Sequence, residues 1–175
     1  MNRLFWGLFF VVLDYEVKIG SMTLGVLPDF IGYWLLMKGM ESLTDENEYF
    51  AKGRHWAFGL MLLHLVQYGG RLLDLPAAKE VGLWAVGLVG HGLGLYLLRR
   101  MIRGIRKMEE SHGWDLQSEK LRAMWLIQAV MGTLAYLLNW VPLVKTFAAM
   151  AGGVTAICLL AAMYDTKKRY EEREI

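Results

Sequence analysis

Ala123–Val144, AMWLIQAVMGTLAYLLNWVPLV, runs without a charge between Arg122 and Lys145, and its length decides how the chain is read. Roughly 20 apolar residues in a helix cover the roughly 30 Å of hydrocarbon in a bilayer. Similar uncharged windows flank it: His55–Gly70, Val81–Leu98, Thr146–Tyr164, and Ile19–Met37, the last interrupted only by Asp29. A sixth, Leu4–Leu13, is short and spans only if its flanking residues snorkel or the bilayer thins. The expectation is an all-α bundle of six transmembrane helices, the first one short, forming a single membrane domain over 1–175.

Composition agrees with this class. The chain is 55% hydrophobic with a mean hydropathy of +0.31, above the roughly 45–50% apolar share of soluble domains. Its 21% charged residues are gathered between the windows rather than spread evenly. With alternating spans, fifteen of the 19 Lys and Arg residues fall on one side and only Lys18, Arg71, Lys79 and Lys145 on the other. The positive-inside bias then places both termini in the cytoplasm. Leu4–Leu13 does not read as a cleaved signal, because Asp14-Tyr15-Glu16 stands where small residues should precede cleavage.

Other residues fit the same map. Pro28, Pro76 and Pro142 fall at the outer helix ends, where a missing backbone donor costs least. Tyr15, Trp84 and Trp140 mark the outer boundary, and Trp56, Trp125 and Tyr164 the inner one. Thr44-Asp45-Glu46-Asn47 reads as the cap and acidic first turn of a short interfacial helix stopped by Gly53. Over 99–122 a basic amphipathic connection is expected, with Met101, Ile102, Ile105 and Met108 on one face. Arg99, Arg100, Arg103, Arg106 and Lys107 occupy the other face and are the candidates for anionic-lipid contact, worth about 1 kcal/mol per basic residue near a membrane surface. A charged cytoplasmic tail follows at 165–175. Nucleic acid is not an expected partner, since the net charge is only +2 and no separate basic domain exists.

Small residues predict where helices approach: Gly90 with Gly94, and Ala148 with Gly152 and Ala156, each set on one face. A weak repeat links Asp29–Leu36, His91–Leu98 and Gly153–Leu160, which share a small residue (Gly32, Gly94, Ala156) followed by paired leucines. Cys158 is the only cysteine, so no internal disulfide forms, and it reads as a small packed side chain.

Polar groups inside spans are costly and normally face the bundle interior. His64, Gln67, Tyr68 and Arg71 lie on one helical stripe. A rise of about 1.5 Å per residue puts His64 and His91 at the same depth, with Asp29 nearby, so these six residues form a candidate intramembrane polar cluster. Three readings stand open. Asp29 ion-pairs with Arg71 or a histidine and fixes packing; the cluster relays protons or holds a polar solute, since histidine changes charge between about pH 5 and 8; or Pro28-Asp29 simply starts a helix, with the carboxylate at the positive dipole end. His55 and His112 fall in inner loops and are expected to face solvent.

Enzymatic patterns are missing. No HExxH or GxSxG occurs, the serines (Ser21, Ser42, Ser111, Ser118) lie in connections, and Asp29, His64 and His91 are too scattered for a metal set. The sequence therefore predicts no catalytic residue, cofactor or metal. Its expected partners are the lipid bilayer, a membrane protein or second copy, and, on the carrier reading, a small solute.

At Leu27-Pro28-Asp29-Phe30-Ile31-Gly32-Tyr33, then Met37-Lys38-Gly39-Met40 and the acidic Glu46–Phe50 stretch, the chain resembles an uncharacterised family of small polytopic membrane proteins of Gram-positive bacteria (Firmicutes). The resemblance covers about the first third. It implies a multi-pass protein of the bacterial cell membrane and draws attention to Asp29. In size the chain is also similar to the six-helix substrate-binding subunits of energy-coupling-factor vitamin transporters, although Leu4-Phe-Trp-Gly-Leu-Phe-Phe is bulkier than their small-residue first helix.

Overall fold

The computed structural model describes residues 1–12, 16–19, 22–25, 28–72, 80–138 and 141–173. Six helices follow one another: α1 (Asn2–Val12), α2 (Asp29–Glu41), α3 (Glu48–Leu72), α4 (Glu80–His112), α5 (Ser118–Leu137) and α6 (Pro142–Glu171). Between α1 and α2 sits an antiparallel hairpin of β1 (Glu16–Ile19) and β2 (Met22–Gly25), in register Glu16 with Gly25 and Ile19 with Met22. Among the described residues the regular structure is helical but for this hairpin. Among the described residues no helix is long and apolar enough to cross a membrane.

Each helix packs antiparallel on the next, and α1 returns to α6 to close the ring. Phe5 of α1 meets Tyr164 of α6 edge to face at 5.7 Å, and the Lys167 ammonium lies 5.6 Å from the Phe5 ring. The start of α1, the 42–47 turn, the 113–117 turn and the end of α6 therefore share one end of the bundle, here called basal. Among the described residues, every ion pair but one lies at this end.

The tightest crossing is α1 on α2. A Cβ on Gly7 would lie 2.7 Å from the Leu36 amide nitrogen and 2.8 Å from the Gly32 carbonyl oxygen. A Cβ on Gly39 would lie 2.7 Å from a Leu4 methyl. Backbone meets backbone here, which only a residue without a side chain permits. The sequence pointed to other small residues. Gly90 and Gly94 are buried and face Leu63 and His64 of α3 and the Tyr33 hydroxyl of α2, and Ala156 is buried. Gly152 has no described atom within 4 Å, and the Ala148 side chain lies outside the described residues.

The densest core fills the basal half. Phe50, Met101, Ile105, Met108, Leu116, Leu121 and Met163 are buried essentially to zero exposure. Phe50 lies on the backbone of Gly104, whose carbonyl also accepts a 3.0 Å hydrogen bond from Asn47 Nδ2. This arrangement corrects the reading of 99–122. The Met101, Ile102, Ile105 and Met108 face does not lie open on an amphipathic connection but is buried in the core against the neighbouring helices. α4 runs on for 33 residues, roughly 50 Å, then stops at Gly113. Gly113 has φ +67°, and the Trp114 amide donates back to the Glu109 carbonyl at 3.1 Å, the six-to-one bond of a Schellman cap.

Three further expectations are revised. Gly53 does not stop a short helix; α3 continues from its Asn47 cap to Leu72, and Gly53 makes room for Met40 Sδ. The 165–175 stretch is helical through Glu171 and docked: Thr166 donates to the Leu116 carbonyl at 2.8 Å, Lys120 meets Asp165 at 2.8 Å and Arg169 meets Asp115 at 2.6 Å. Cys158 is exposed rather than packed, because α6 turns Ala156, Leu159, Leu160 and Met163 inward and leaves Val154, Ile157 and Cys158 on its outer face.

The Gly7 crossing predicts that Gly7→Ala lowers stability by about 1–3 kcal/mol, the usual cost of overpacking. Gly59→Ala and Gly92→Ala, with open space around them, should instead gain up to roughly 1 kcal/mol. Thermal unfolding of the three purified variants checks the ordering.

Candidate functional site

Pro28 is the N-cap of α2 and Asp29 its first residue, so the carboxylate sits at the positive end of that helix. No side chain caps this terminus. From α3, His64 Nδ1 comes within 3.3 Å of Asp29 Oδ2, with both side chains mostly buried. This is the one described ion pair away from the basal end. The first and third readings of Asp29 are thus geometrically compatible, since one carboxylate both begins the helix and meets a histidine.

Tyr33, one turn below Asp29, completes the constellation. Its ring lies 4.8 Å from the imidazole of His64 at a 30° tilt. Its hydroxyl reaches Gly94 on α4, where an added Cβ would stand 3.0 Å away. The far edge of His64 faces Gly90, whose hypothetical Cβ lies 3.8 Å from Nε2. The two glycines of α4 are therefore the floor on which a Tyr33–His64 stack rests. Asp29 Oδ1 and His64 Nε2 are both buried without a hydrogen-bond partner among the described residues. Buried polar atoms of this kind are uncommon in native structures.

The remaining predicted members divide. Tyr68 stacks edge to face on Phe30 at 5.6 Å and so flanks the Asp29 turn. Gln67 is half-buried on the same helix, one turn beyond His64. His91 turns the other way, towards α5, where its ring covers Gly132 at a distance that leaves no room for a Cβ. The Arg71 side chain lies outside the described residues. Sequence spacing placed His64 and His91 at one depth, and Gly90 beside His64 agrees, but adjacent helical positions point about 100° apart. A second polar contact, Thr155 Oγ1 donating to Gln128 Oε1, joins α5 to α6.

Tyr33 was missed because a tyrosine in an apolar run reads as a boundary or packing residue. The available signal was spacing: Asp29 and Tyr33 are four apart, on one face. His55 and His112 lie in helices rather than loops, and both are exposed, as expected. His55 is within α3 and its Nδ1 lies 3.0 Å from the Ala51 carbonyl oxygen, while His112 stacks on Trp114 at 4.4 Å and lies 3.7 Å from Glu46.

Chemically, a carboxylate, an imidazole and a phenol in one line can exchange a proton or bind a small polar group. Among the described residues no three His, Cys, Asp or Glu side chains gather as a metal set. Compared with known proteins, the chain matches no family model, no curated protein and no solved structure.

Coupling between Asp29 and His64 is measurable. In a double-mutant cycle of Asp29→Asn and His64→Phe, which keeps a ring against Tyr33, the interaction energy should be about 0.5–3 kcal/mol. Combining Asp29→Asn with Gln67→Leu should be additive. Equal coupling in both cycles would mean that the contact has no specific energy.

Proposed function

We propose that the chain is a multi-pass protein of a bacterial cell membrane with both ends in the cytoplasm, acting without catalysis through a membrane partner or as an assembly component. The observation that carries this reading is where the apolar side chains lie. Away from the basal end, α3 to α6 turn large hydrophobics outward: Val66 is 72% exposed, Leu143 71%, Met150 67% and Phe147 66%. Val89, Val130, Val154 and Ile157 extend the same band around the bundle. Monomeric soluble proteins rarely leave so much contiguous apolar surface in water. Fifteen of the 19 Lys and Arg residues fall toward the opposite end, the sense of the positive-inside bias.

The reading rests on this surface and not on helix hydropathy, since among the described residues no helix is long and apolar enough to cross a membrane. α3, α4 and α5 carry charged turns into their basal ends, which shortens their apolar lengths. Short apolar lengths are met by local thinning of the bilayer or by association with other helices. The same outward band that faces lipid is also the surface a partner helix would use.

Cys158 supplies the test, being the only thiol in the chain and lying in this band. In intact membranes it should resist a charged, membrane-impermeant maleimide and react after denaturation in detergent. Rapid labelling of protein purified without detergent would contradict the membrane reading.

A second reading is favoured by Asp29 Oδ1 and His64 Nε2, which are buried yet unsatisfied by described groups. A small polar solute or a proton would complete them, making the chain a carrier or a substrate-binding subunit. On this reading Asp29→Asn abolishes proton-coupled uptake or ligand-induced thermal stabilisation in reconstituted vesicles while expression is kept. Loss of folded protein in that variant would assign Asp29 to packing alone.

A further inference from the structure

Where α4 leaves the apolar band and α5 begins, the two helices part around a cleft of about 330 Å³. Four arginines line it: Arg99, Arg103 and Arg106 from α4, and Arg122 from α5. A single carboxylate, Glu119, lies among them. Four guanidinium groups against one carboxylate leave a local excess of positive charge in a volume at the lower limit of known ligand sites.

The ion pairing inside the cleft is unequal. Glu119 is already shared between Arg106 at 2.9 Å and Arg122 at 3.4 Å, and Arg106 is held again by Glu110 at 3.0 Å. Arg99 and Arg103 have no carboxylate partner among the described residues. Arg99 is nevertheless held in place, its guanidinium 5.8 Å from the centroid of the Trp125 ring. That ring is itself oriented by a 3.0 Å hydrogen bond from Nε1 to the Leu95 carbonyl. Ser118 and Glu119 are the first residues of α5, and that helix start is already met by the Glu109 carboxylate, so the positive charge of the cleft comes from its arginines.

We propose that this cleft binds a phosphate-bearing anion through Arg99, Arg103 and Arg122, and that its occupant is the headgroup of an anionic phospholipid. Guanidinium forks match phosphate oxygens in pairs, which a diffuse basic surface does not do. The choice of a lipid follows from the rest of the lining. Ile102 and Leu126 complete the wall, and Leu126, Ile127 and Val130 continue outward along α5 as an exposed apolar track for an acyl chain. Arg100 turns away to the Tyr96 hydroxyl at 3.0 Å, and Lys107 does not line the cleft, so of the five basic residues that the sequence grouped together only Arg99, Arg103 and Arg106 line it, and Arg106 is already paired. The source of the ligand rests on the membrane reading; the anion site does not.

The experiment compares wild type with Arg99→Gln/Arg103→Gln and with the outside control Lys107→Gln. Binding is read by native mass spectrometry and by thermal shift in detergent. The probes are phosphatidylglycerol, phosphatidylcholine, inorganic phosphate and glycerol phosphate. Wild type and Lys107→Gln should retain phosphatidylglycerol over phosphatidylcholine, and the double variant should bind it roughly ten- to hundredfold more weakly. Arg103→Lys, which keeps charge but not the fork, should fall between them and guards against simple misfolding. Equal loss in Lys107→Gln, or no loss in the double variant, overturns the site. Glycerol phosphate binding as tightly as phosphatidylglycerol keeps the site and overturns the lipid. Should the chain prove soluble without detergent, the two phosphate probes still read the cleft, so the membrane reading can fail without deciding this one.

Discussion

Phe50 lying on the backbone of Gly104 is the contact on which the basal half depends. It fastens the start of α3 to the middle of α4, and Asn47 bonds the same carbonyl from the turn before it. Around this point α4 stays helical for 33 residues, long enough to reach beyond the apolar band and offer its Ile105–Met108 face to the other basal segments. The 113–117 turn then folds back. Glu109 accepts from the Leu116 and Gln117 amides at 2.8 and 3.1 Å, and its other oxygen accepts from Ser118 Oγ. One carboxylate at the end of α4 thereby satisfies the start of α5, beside the arginine cleft that Ser118 also lines.

The other half is held differently. There the helices meet through glycines and small apolar contacts, and large hydrophobics such as Val66, Leu143 and Phe147 face outward. A bundle in water stabilises itself by turning hydrophobic side chains in, whereas one in lipid gains little from that and relies on close backbone approach and internal polar bonds. Gly7 against Gly32 and Leu36 and His91 over Gly132 are close approaches at a glycine, and Gln128 with Thr155 is an internal polar bond. The Asp29–His64–Tyr33 line belongs with them, joining α2, α3 and the glycines of α4 near the other end of the molecule. The molecule thus divides into a basal end whose apolar side chains are largely buried and another end where many large apolar side chains are exposed.

Much of the site was legible from composition and spacing. Asp29 and His64 stood out because an ionisable group in an apolar run must find a partner, but the sequence left Arg71 and either histidine open as the partner of Asp29. Tyr33 was invisible because a tyrosine in such a run has an ordinary packing role. His91 was misplaced in direction, not in depth, since rise per residue is a property of the helix alone while the direction a side chain points depends on how the helix is rotated against its neighbours. The basic run on α4 had a similar fate. Its charge was plain, but whether its apolar face met lipid or protein depended on chain segments far away in sequence.

Periodicity and charge placement by themselves determined the six helices, their antiparallel order and the gathering of basic residues at one end, because these follow from local hydropathy and the length of each uncharged run. Tertiary structure alone decided that Gly7 would be the close crossing, that Gly53 would make room for a methionine instead of ending a helix, that Cys158 would face outward, and that Arg122 would join Arg99 and Arg103 around one cleft. Each of these is a relation between two segments, and the rotation of one helix against another is set by the side chains and backbone it meets, which no single stretch of sequence contains.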